Sequence, residues 1–185
     1  MKRFTLNFFN IQHSMRNLIF LFFFSSFFSS CLESNPNLNE AGEDVIEAKE
    51  IYSDVTDLSH RDTVYVPIYS DIYSETKDYR MNLTATLSIR NTSLFDPIYV
   101  EAIDYYDTKG DLVHRYLERT ILLKAMQSIE YVIAEDDVKG GTGANFIVNW
   151  GAQTDDVKPV FQGVMISTSG QQGLSFVTEG VSISR

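Results

Sequence analysis

The stretch YRMNLTATLSIRN, from Tyr79 to Asn91, alternates apolar and polar residues without a break. Met81, Leu83, Ala85, Leu87 and Ile89 fall on one side, and Arg80, Asn82, Thr84, Thr86, Ser88 and Arg90 on the other. A helix would scatter these residues around its circumference. A strand switches face at every residue and sorts them into one dry side and one wet side. The dry side then needs a second layer to bury it.

Neighbouring runs have the same texture. In TVYVPIYSDIY, Val64, Val66 and Ile68 share one face and Tyr65 and Tyr69 the other. Pro67 has no amide to donate, which places it at an edge or at a break in the strand. NTSLFDP reads as a connection, since Asn, Ser, Asp and Pro favour turns for separate backbone reasons. IYVEAIDYYD reads as a further strand, and DTKGD as a tight reversal into LVHRYLE, with Gly110 free to take the positive φ that a short hairpin demands. TILLKAMQSIEYVIAED reads as two strands joined near Ala125 to Ser128; a helix competes, because Leu122, Leu123, Met126 and Ile129 would line one side of it. ANFIVNW, VFQGVMISTS and GQQGLSFVTEGVSI complete the series. Seven to nine short strands with no convincing long helix imply an all-β, mostly antiparallel sandwich or small barrel. The spacing resembles an immunoglobulin-like β-sandwich, without the paired cysteines of antibody-type domains.

That domain runs from about Asp62 to Arg185, 124 residues, enough for one core and too few for two. Before it, residues 31–61 are polar and acidic and read as a tether, largely disordered, because low hydrophobicity cannot repay the entropy of ordering. A short helix over EDVIEAKEIYSDV is the competing reading. Residues 1–30 open with Lys2 and Arg3, add Arg16, and pass through NLIFLFFFSSFFSS to Cys31. Positive, then apolar, then small is the order of a secretion signal. The apolar span from Leu18 to Phe28 has eleven residues, short of the roughly 20 that cross a bilayer as a helix. A start at Met15 would give a more compact signal.

Cys31 is the sole cysteine, so it closes no disulfide within the chain. The small residues Ser29 and Ser30 before it resemble the recognition box of bacterial lipoproteins, although Phe28 departs from the aliphatic residue usual there. That resemblance implies that Cys31 is lipidated and starts the mature chain, with the domain outside the cytoplasm on a bacterial membrane; an ordinary cleaved signal is the alternative. Without residues 1–30 the chain has 12 Lys and Arg against 25 Asp and Glu, net −13. Such a balance repels phosphate backbones and anionic membrane surfaces and makes nucleic acid a poor candidate partner, so none is expected.

VYVPIYS, LTATLSIRNTS, DYYDTKGDLV, GGTGANFIVNW and VMISTSGQQGLSFVTEG, in that order from Val64 to Ser182, resemble domain-of-unknown-function family 3124, a family of bacterial envelope proteins that are often lipoproteins. The resemblance implies a stand-alone secreted or lipid-anchored module. It brings no catalytic residues with it.

The residues themselves offer little chemistry. KGGTGAN lacks the spacing and terminal Lys-Ser or Lys-Thr of a phosphate loop, and Gly140, Gly141 and Gly143 read as a flexible inter-strand loop. Asp104, Asp107 and Asp111, and the later Glu135, Asp136, Asp137, Asp155 and Asp156, lie in loops of the kind that bind calcium weakly outside cells, but turn formation accounts for Asp107 and Asp111. No metal or cofactor is expected. His60 sits beside the tether, and His114 is the one credible base within the domain, with no nucleophile elbow before it. A non-catalytic module is therefore expected.

Tyr65, Tyr69, Tyr73, Tyr99, Tyr105 and Tyr106 exceed what a small sandwich buries, and tyrosine suits recognition surfaces. One of Tyr105 and Tyr106 is expected in the core and its neighbour on the surface, and Trp150 in the core with Phe146 and Val148. Asn145, with Gln171 and Gln172 in SGQQGLSF, could present amides from loops at one end of the sandwich. The expected function is a lipid-anchored envelope module that binds a protein, glycan or small ligand; the alternative is an assembly lipoprotein that contacts another envelope protein through an edge strand near Pro67.

Overall fold

The computed structural model describes residues 50–52, 57–168 and 173–183. The strands are β1 (Glu50–Tyr52), β2 (His60–Ile68), β3 (Asp71–Ser74), β4 (Thr76–Asn82), β5 (Thr84–Arg90), β6 (Ile98–Tyr106), β7 (Leu112–Arg115), β8 (Thr120–Leu123), β9 (Ser128–Ile133), β10 (Ala144–Ala152), β11 (Val160–Ser167), β12 (Leu174–Glu179) and β13 (Val181–Ser182). The larger sheet has the order β1-β8-β6-β10-β2-β13, with β7 paired to β6, and the smaller has the order β12-β11-β5-β9. The two pack face to face as an antiparallel sandwich, while β3 and β4 form a separate ribbon. Among the described residues no helix is long and apolar enough to cross a membrane.

The expected count of seven to nine strands is too low, because several runs are cut. The alternation from Tyr79 is real, and Leu83, Ala85, Leu87 and Ile89 are all buried. It is split at Leu83, whose amide turns aside to the Ser70 carbonyl at 2.9 Å and so leaves the ladder between β4 and β5. The boundary of the domain also moves. β2 begins at His60, with His60 and Arg61 opposite Ala152 and Gly151, and Glu50–Tyr52 of the expected tether form a strand on β8 where a helix was the competitor.

The inner rows of the smaller sheet explain how close the layers come. Tyr131, Leu87, Gly163 and Thr178 lie side by side across β9, β5, β11 and β12 and taper from large to small. Where the row narrows, β2 presses in. A Cβ on Gly163 would lie 2.5 Å from Thr178 Oγ1, 2.6 Å from Ile68 Cδ1 and 2.9 Å from the Pro67 carbonyl. Pro67 sits where β13 no longer pairs with β2, so its missing amide costs no ladder bond, and its carbonyl accepts the Thr178 hydroxyl at 2.6 Å.

On the larger sheet the buried parity changes along β6. Ile98 and Val100 are buried, then Ile103 and Tyr105. Against β10 the register slips so that Val100 faces Trp150 and Ala102 faces Asn149, which leaves Glu101 as the extra residue. Such a bulge is what a phase change requires if both halves are to face one core. Tyr105 is accordingly the core residue of its pair and Tyr106 is partly exposed. The segment after β7 is two strands, as the alternation of Ile129, Tyr131 and Ile133 implies, and Met126 takes φ 62° in the turn between them.

The glycine segment before β10 is bolted down, contrary to the flexible loop expected of it. It forms a 3-10 turn, Gly141–Gly143. Thr108 donates its amide and its hydroxyl to the Gly140 carbonyl and accepts the Gly143 amide, while Ser70 accepts the Gly141 amide at 2.7 Å. Any Cβ at Gly140 would overlap the Tyr105 hydroxyl oxygen. Burial pushes the Tyr105 phenol up to about 12, opposed by the Ser70 hydroxyl beside it and helped by Asp137. The Ser70 contact is not a well-formed hydrogen bond, since that hydroxyl is committed to Gly141. Burial likewise raises Tyr131 to about 12.

Replacing Gly163 with Ala should cost about 1–3 kcal/mol through overpacking, whereas Gly173→Ala, whose nearest neighbour would be 3.8 Å away, should stay within about 0.5 kcal/mol. Urea midpoints at unchanged m decide this, and equal midpoints would show that the sheets do not meet at Gly163. The two buried phenols make a second prediction. Both are raised above the value of 10 they have in an unfolded chain. Above pH 10 the unfolded state therefore sheds phenol protons that the native state keeps, and stability held below pH 10 is lost as pH rises toward about 12. A tyrosinate absorbance titration should show these two groups, joined by Tyr116, whose phenol is also raised by burial, as late in the native protein and merged with the rest in denaturant.

Candidate functional site

The sandwich has two unlike ends, and β10 runs from one to the other: Ala144 pairs with Ile68 at the glycine-turn end and Ala152 with His60 at the opposite end. Asn145 lies on β10 at the glycine-turn end, half-buried between Pro67 and Tyr106. Gln171 and Gln172 lie outside the described residues, as does Cys31. The strands flanking the glutamines pair at Ser167 and Leu174, beside Ile166, which faces Thr84 at the start of β5.

The acidic loops at the glycine-turn end serve their own backbones. Asp107 Oδ1 accepts the amides of Lys109 and Asp111 at 2.8 and 2.9 Å, and these bonds, with that of Asp111 foremost, hold its carboxyl below the usual carboxylate range. Gly110 takes φ 87° in the same reversal. Asp104 is paired with Arg115, whose guanidinium is pushed up by that bond. Asp71, almost fully buried, is paired with Arg80 Nη2 at 2.6 Å although the approach is poorly aligned for a hydrogen bond. His114 is exposed on β7, its ring edge-on to Tyr116 at 4.5 Å, with no hydroxyl or carboxylate hydrogen-bonded to it among the described residues. Nor do three His, Cys, Asp or Glu side chains converge on one point there.

The opposite end holds a cleft of about 360 Å³. Its origin lies in the inner face of β2. Reading backwards on one parity, Ile68, Val66 and Val64 are buried, and the next two inward positions are Asp62 and His60. Two ionisable residues continue an apolar stripe, so the layers cannot close over them as they do at Gly163. Trp150, opposite Asp62, forms the inner wall with Phe161, their ring centroids 5.9 Å apart. His60 leans on Trp150 with centroids 5.0 Å apart, and its Nδ1 lies 3.5 Å from Asp155 Oδ1. Asp62 is held by the Thr63 amide and the Ser182 hydroxyl at 2.7 and 2.8 Å. Glu179, tied to Gln162 at 2.8 Å, and the exposed Lys158 complete the rim.

One atom in this wall is unsatisfied. Trp150 is 4% exposed, and its Nε1 is closed to solvent with no hydrogen-bond partner among the described residues. A buried donor left unpaired costs about 1–3 kcal/mol, and it is the ring of Trp150, not this N–H, that the cleft presents. The cleft therefore offers an apolar wall, the carboxylates of Asp62 and Glu179 and the exposed cation of Lys158, the composition of a small-ligand site near the lower end of the usual size range. Sequence reasoning placed Trp150 in the core correctly and left His60 beside the tether. The signal it passed over was the period-two continuation of the β2 stripe through Asp62 to His60.

The crystal structure of Thermotoga maritima 1070 aligns with this chain at 14% identity and a TM-score of 0.36, covering 67% of this chain and 96% of that one. No curated protein matches. The family model described as Protein of unknown function (DUF3124) matches residues 61–183, from the first strand that lines the cleft to the last, and the chain belongs to that family.

Proposed function

We propose that this protein is a non-catalytic binding module of the bacterial envelope, held to its membrane by acyl chains on Cys31, with the cleft at His60, Asp62 and Trp150 as its binding site. The turn of the buried β2 stripe to the ionisable Asp62 and His60, facing the Trp150–Phe161 wall of that cleft, carries the binding half of this reading. Its ligand is a small polar molecule, or the end of a glycan or peptide, that lays an apolar face on the Trp150 ring and presents a neutral or cationic group to Asp62 and Glu179. The anchor rests on the sequence order of basic residues, apolar run, paired serines and a lone cysteine. More than one acyl chain gives stable attachment where a single chain is marginal.

A second reading, assembly through an edge strand, draws on the β3–β4 ribbon more than on Pro67. The Pro67 edge is occupied by Thr178. The ribbon belongs to neither sheet, and it exposes Tyr73 and Tyr79 by 58% and 59%.

Two measurements test the proposal. Intact mass and detergent partition of the native protein, compared with Cys31→Ser in the same host, should show a mature chain that begins at Cys31 with acyl chains and loses membrane partition in the variant. An unmodified product that stays soluble removes the anchor. For the cleft, Trp150 is the chain's one tryptophan and hence its own reporter. Titration with soluble peptidoglycan fragments, and separately with a small-molecule extract of the host envelope, should give a saturable change in its fluorescence that His60→Ala and Asp62→Ala weaken at least tenfold. No response to either fraction, with crosslinks to another protein through Tyr73 or Tyr79, would favour assembly.

A further inference from the structure

The β5–β6 connection, read from sequence as a plain turn, carries the most exposed large apolar side chains at the cleft end. Phe95 is 86% exposed, Leu94 67%, and Met126 of the adjoining β8–β9 turn 63%. Loose loops often leave such residues out, but these two turns are locked together. Asn91, 2% exposed, donates its Nδ2 to the carbonyls of Asp96, Leu123 and Lys124 at 2.8, 3.2 and 3.0 Å, and its Oδ1 accepts the Ser93 amide. Its own amide goes to Gln127, and the Met126 amide goes to Ser93. A rigid mount thus presents three apolar side chains to solvent, which sustained exposure alone does not explain.

The charges around this tip run against those of the whole chain. Arg90 precedes Asn91, the Lys124 carbonyl accepts from Asn91, and the Lys158 carbonyl accepts from Thr92 at 2.7 Å. All three cations are exposed. The loop's own acid, Asp96, accepts the Ser93 hydroxyl, and Asp155 of the next loop is turned to His60. The chain also enters the domain here. Glu50 pairs with Leu122, one residue from Leu123, which faces Ile98 at the foot of the tip.

The geometry points to a lipid-docking tip: Leu94, Phe95 and Met126 enter the interfacial layer of the membrane while Arg90, Lys124 and Lys158 meet its anionic headgroups. An apolar cluster ringed by cations is the composition that such interfaces bind. The partner is the bilayer surface itself and not a protein groove, because the exposed Arg90, Lys124 and Lys158 lie in or next to the segments that form this end, and the chain enters the domain there at Glu50. Between Cys31 and Glu50 lie 18 residues, a reach of at most about 65 Å, so the tip can meet the membrane that holds the anchor. This inference uses the anchor for proximity only; the tip stands or falls separately.

The test uses the full chain, purified from its own host and reconstituted in vesicles of phosphatidylethanolamine and phosphatidylglycerol. Phe95→Cys receives an environment-sensitive dye, with Lys109→Cys at the opposite end as control. Lipids brominated along the acyl chain should quench the dye at position 95 several-fold more than at 109, and Phe95→Asp, which leaves Trp150 fluorescence unchanged, should lower the quenching of the same dye carried on Met126→Cys. Equal quenching at the two positions in protein whose mass shows an acylated Cys31 overturns the tip and leaves the anchor intact. Preferential quenching at 95 in protein whose Cys31 is unmodified supports the tip and removes the anchor. A dye at 95 that is shielded from brominated lipid and crosslinks to a second copy or another protein overturns the lipid assignment.

Discussion

The two ends of the sandwich differ because of the contact between them, where Gly163 lets β11 come against Pro67 and Ile68. Stacked sheets ordinarily stand about 10 Å apart with side chains from both filling the gap. A glycine facing an isoleucine brings the layers nearer than that at one point. Because each sheet is twisted, closeness at one point is matched by divergence away from it. Toward Ile68 the divergence is filled by Ser70, Thr108 and the glycine turn. Toward His60 it is filled only in part, by Trp150 and Phe161.

Polar side chains decide what each end becomes. At the glycine-turn end Ser70 and Thr108 satisfy the backbone of residues 140–143, and Asp71 with Arg80 tethers the ribbon. Every one of these groups is spent on structure. At the other end Asn91 ties two turns together through four side-chain hydrogen bonds, with Ser93 and Gln127 accepting further amides of those turns. Buried amides with this many partners fix a single loop geometry, since each lost partner leaves a desolvated group behind at about 1–3 kcal/mol. Leu94 and Phe95 thereby stay out of the core, and Lys124 and Lys158 stay exposed. At the cleft Asp62 holds the Thr63 amide and the Ser182 hydroxyl, and Trp150 packs on Phe161, so these side chains serve the fold as well as line the cleft.

Much of the architecture was legible because it rests on period two. The stripe from Leu83 to Ile89 is buried as the alternation requires, and the pairing of Ile129, Tyr131 and Ile133 outweighed a helical reading of the same segment. Even the bulge is written in the sequence, since Ile98 and Val100 cannot share a face with Ile103 and Tyr105 on a regular strand. What could not be read were features set by partners distant in sequence. The break at Leu83 depends on the Ser70 carbonyl, and the rigidity of KGGTG on Thr108. NTSLFDP was legible as a turn, but not as a mount, because the carbonyls that hold Asn91 come mostly from another hairpin. The site was missed for a different reason. His60 was assigned to a tether on composition, although its parity with Val64 already placed it on the inner face.

Magnitudes separate the roles of tip and anchor. Full burial of a leucine or phenylalanine side chain contributes roughly 1.5–3 kcal/mol, so two or three of them entering only the interface fall within a few kcal/mol of a millimolar affinity. That is too weak to hold a protein on a membrane, as it is for one short acyl chain. Once the chain is tethered, however, the tip meets the bilayer at the effective concentration its linker sets, and a weak contact suffices to choose an orientation. The charge distribution works in the same direction. A domain with a large net negative charge is pushed away from anionic lipid on every side except the one where Arg90, Lys124 and Lys158 face it, and within a Debye length of about 8–10 Å those local cations outweigh the distant acids. An end that must approach lipid in one pose needs a rigid loop, which is what Asn91 supplies. Lys158 stands on both the rim of the cleft and the ring around the tip. In the proposed orientation the cleft would lie beside the headgroups, within reach of a ligand still attached to the membrane or wall.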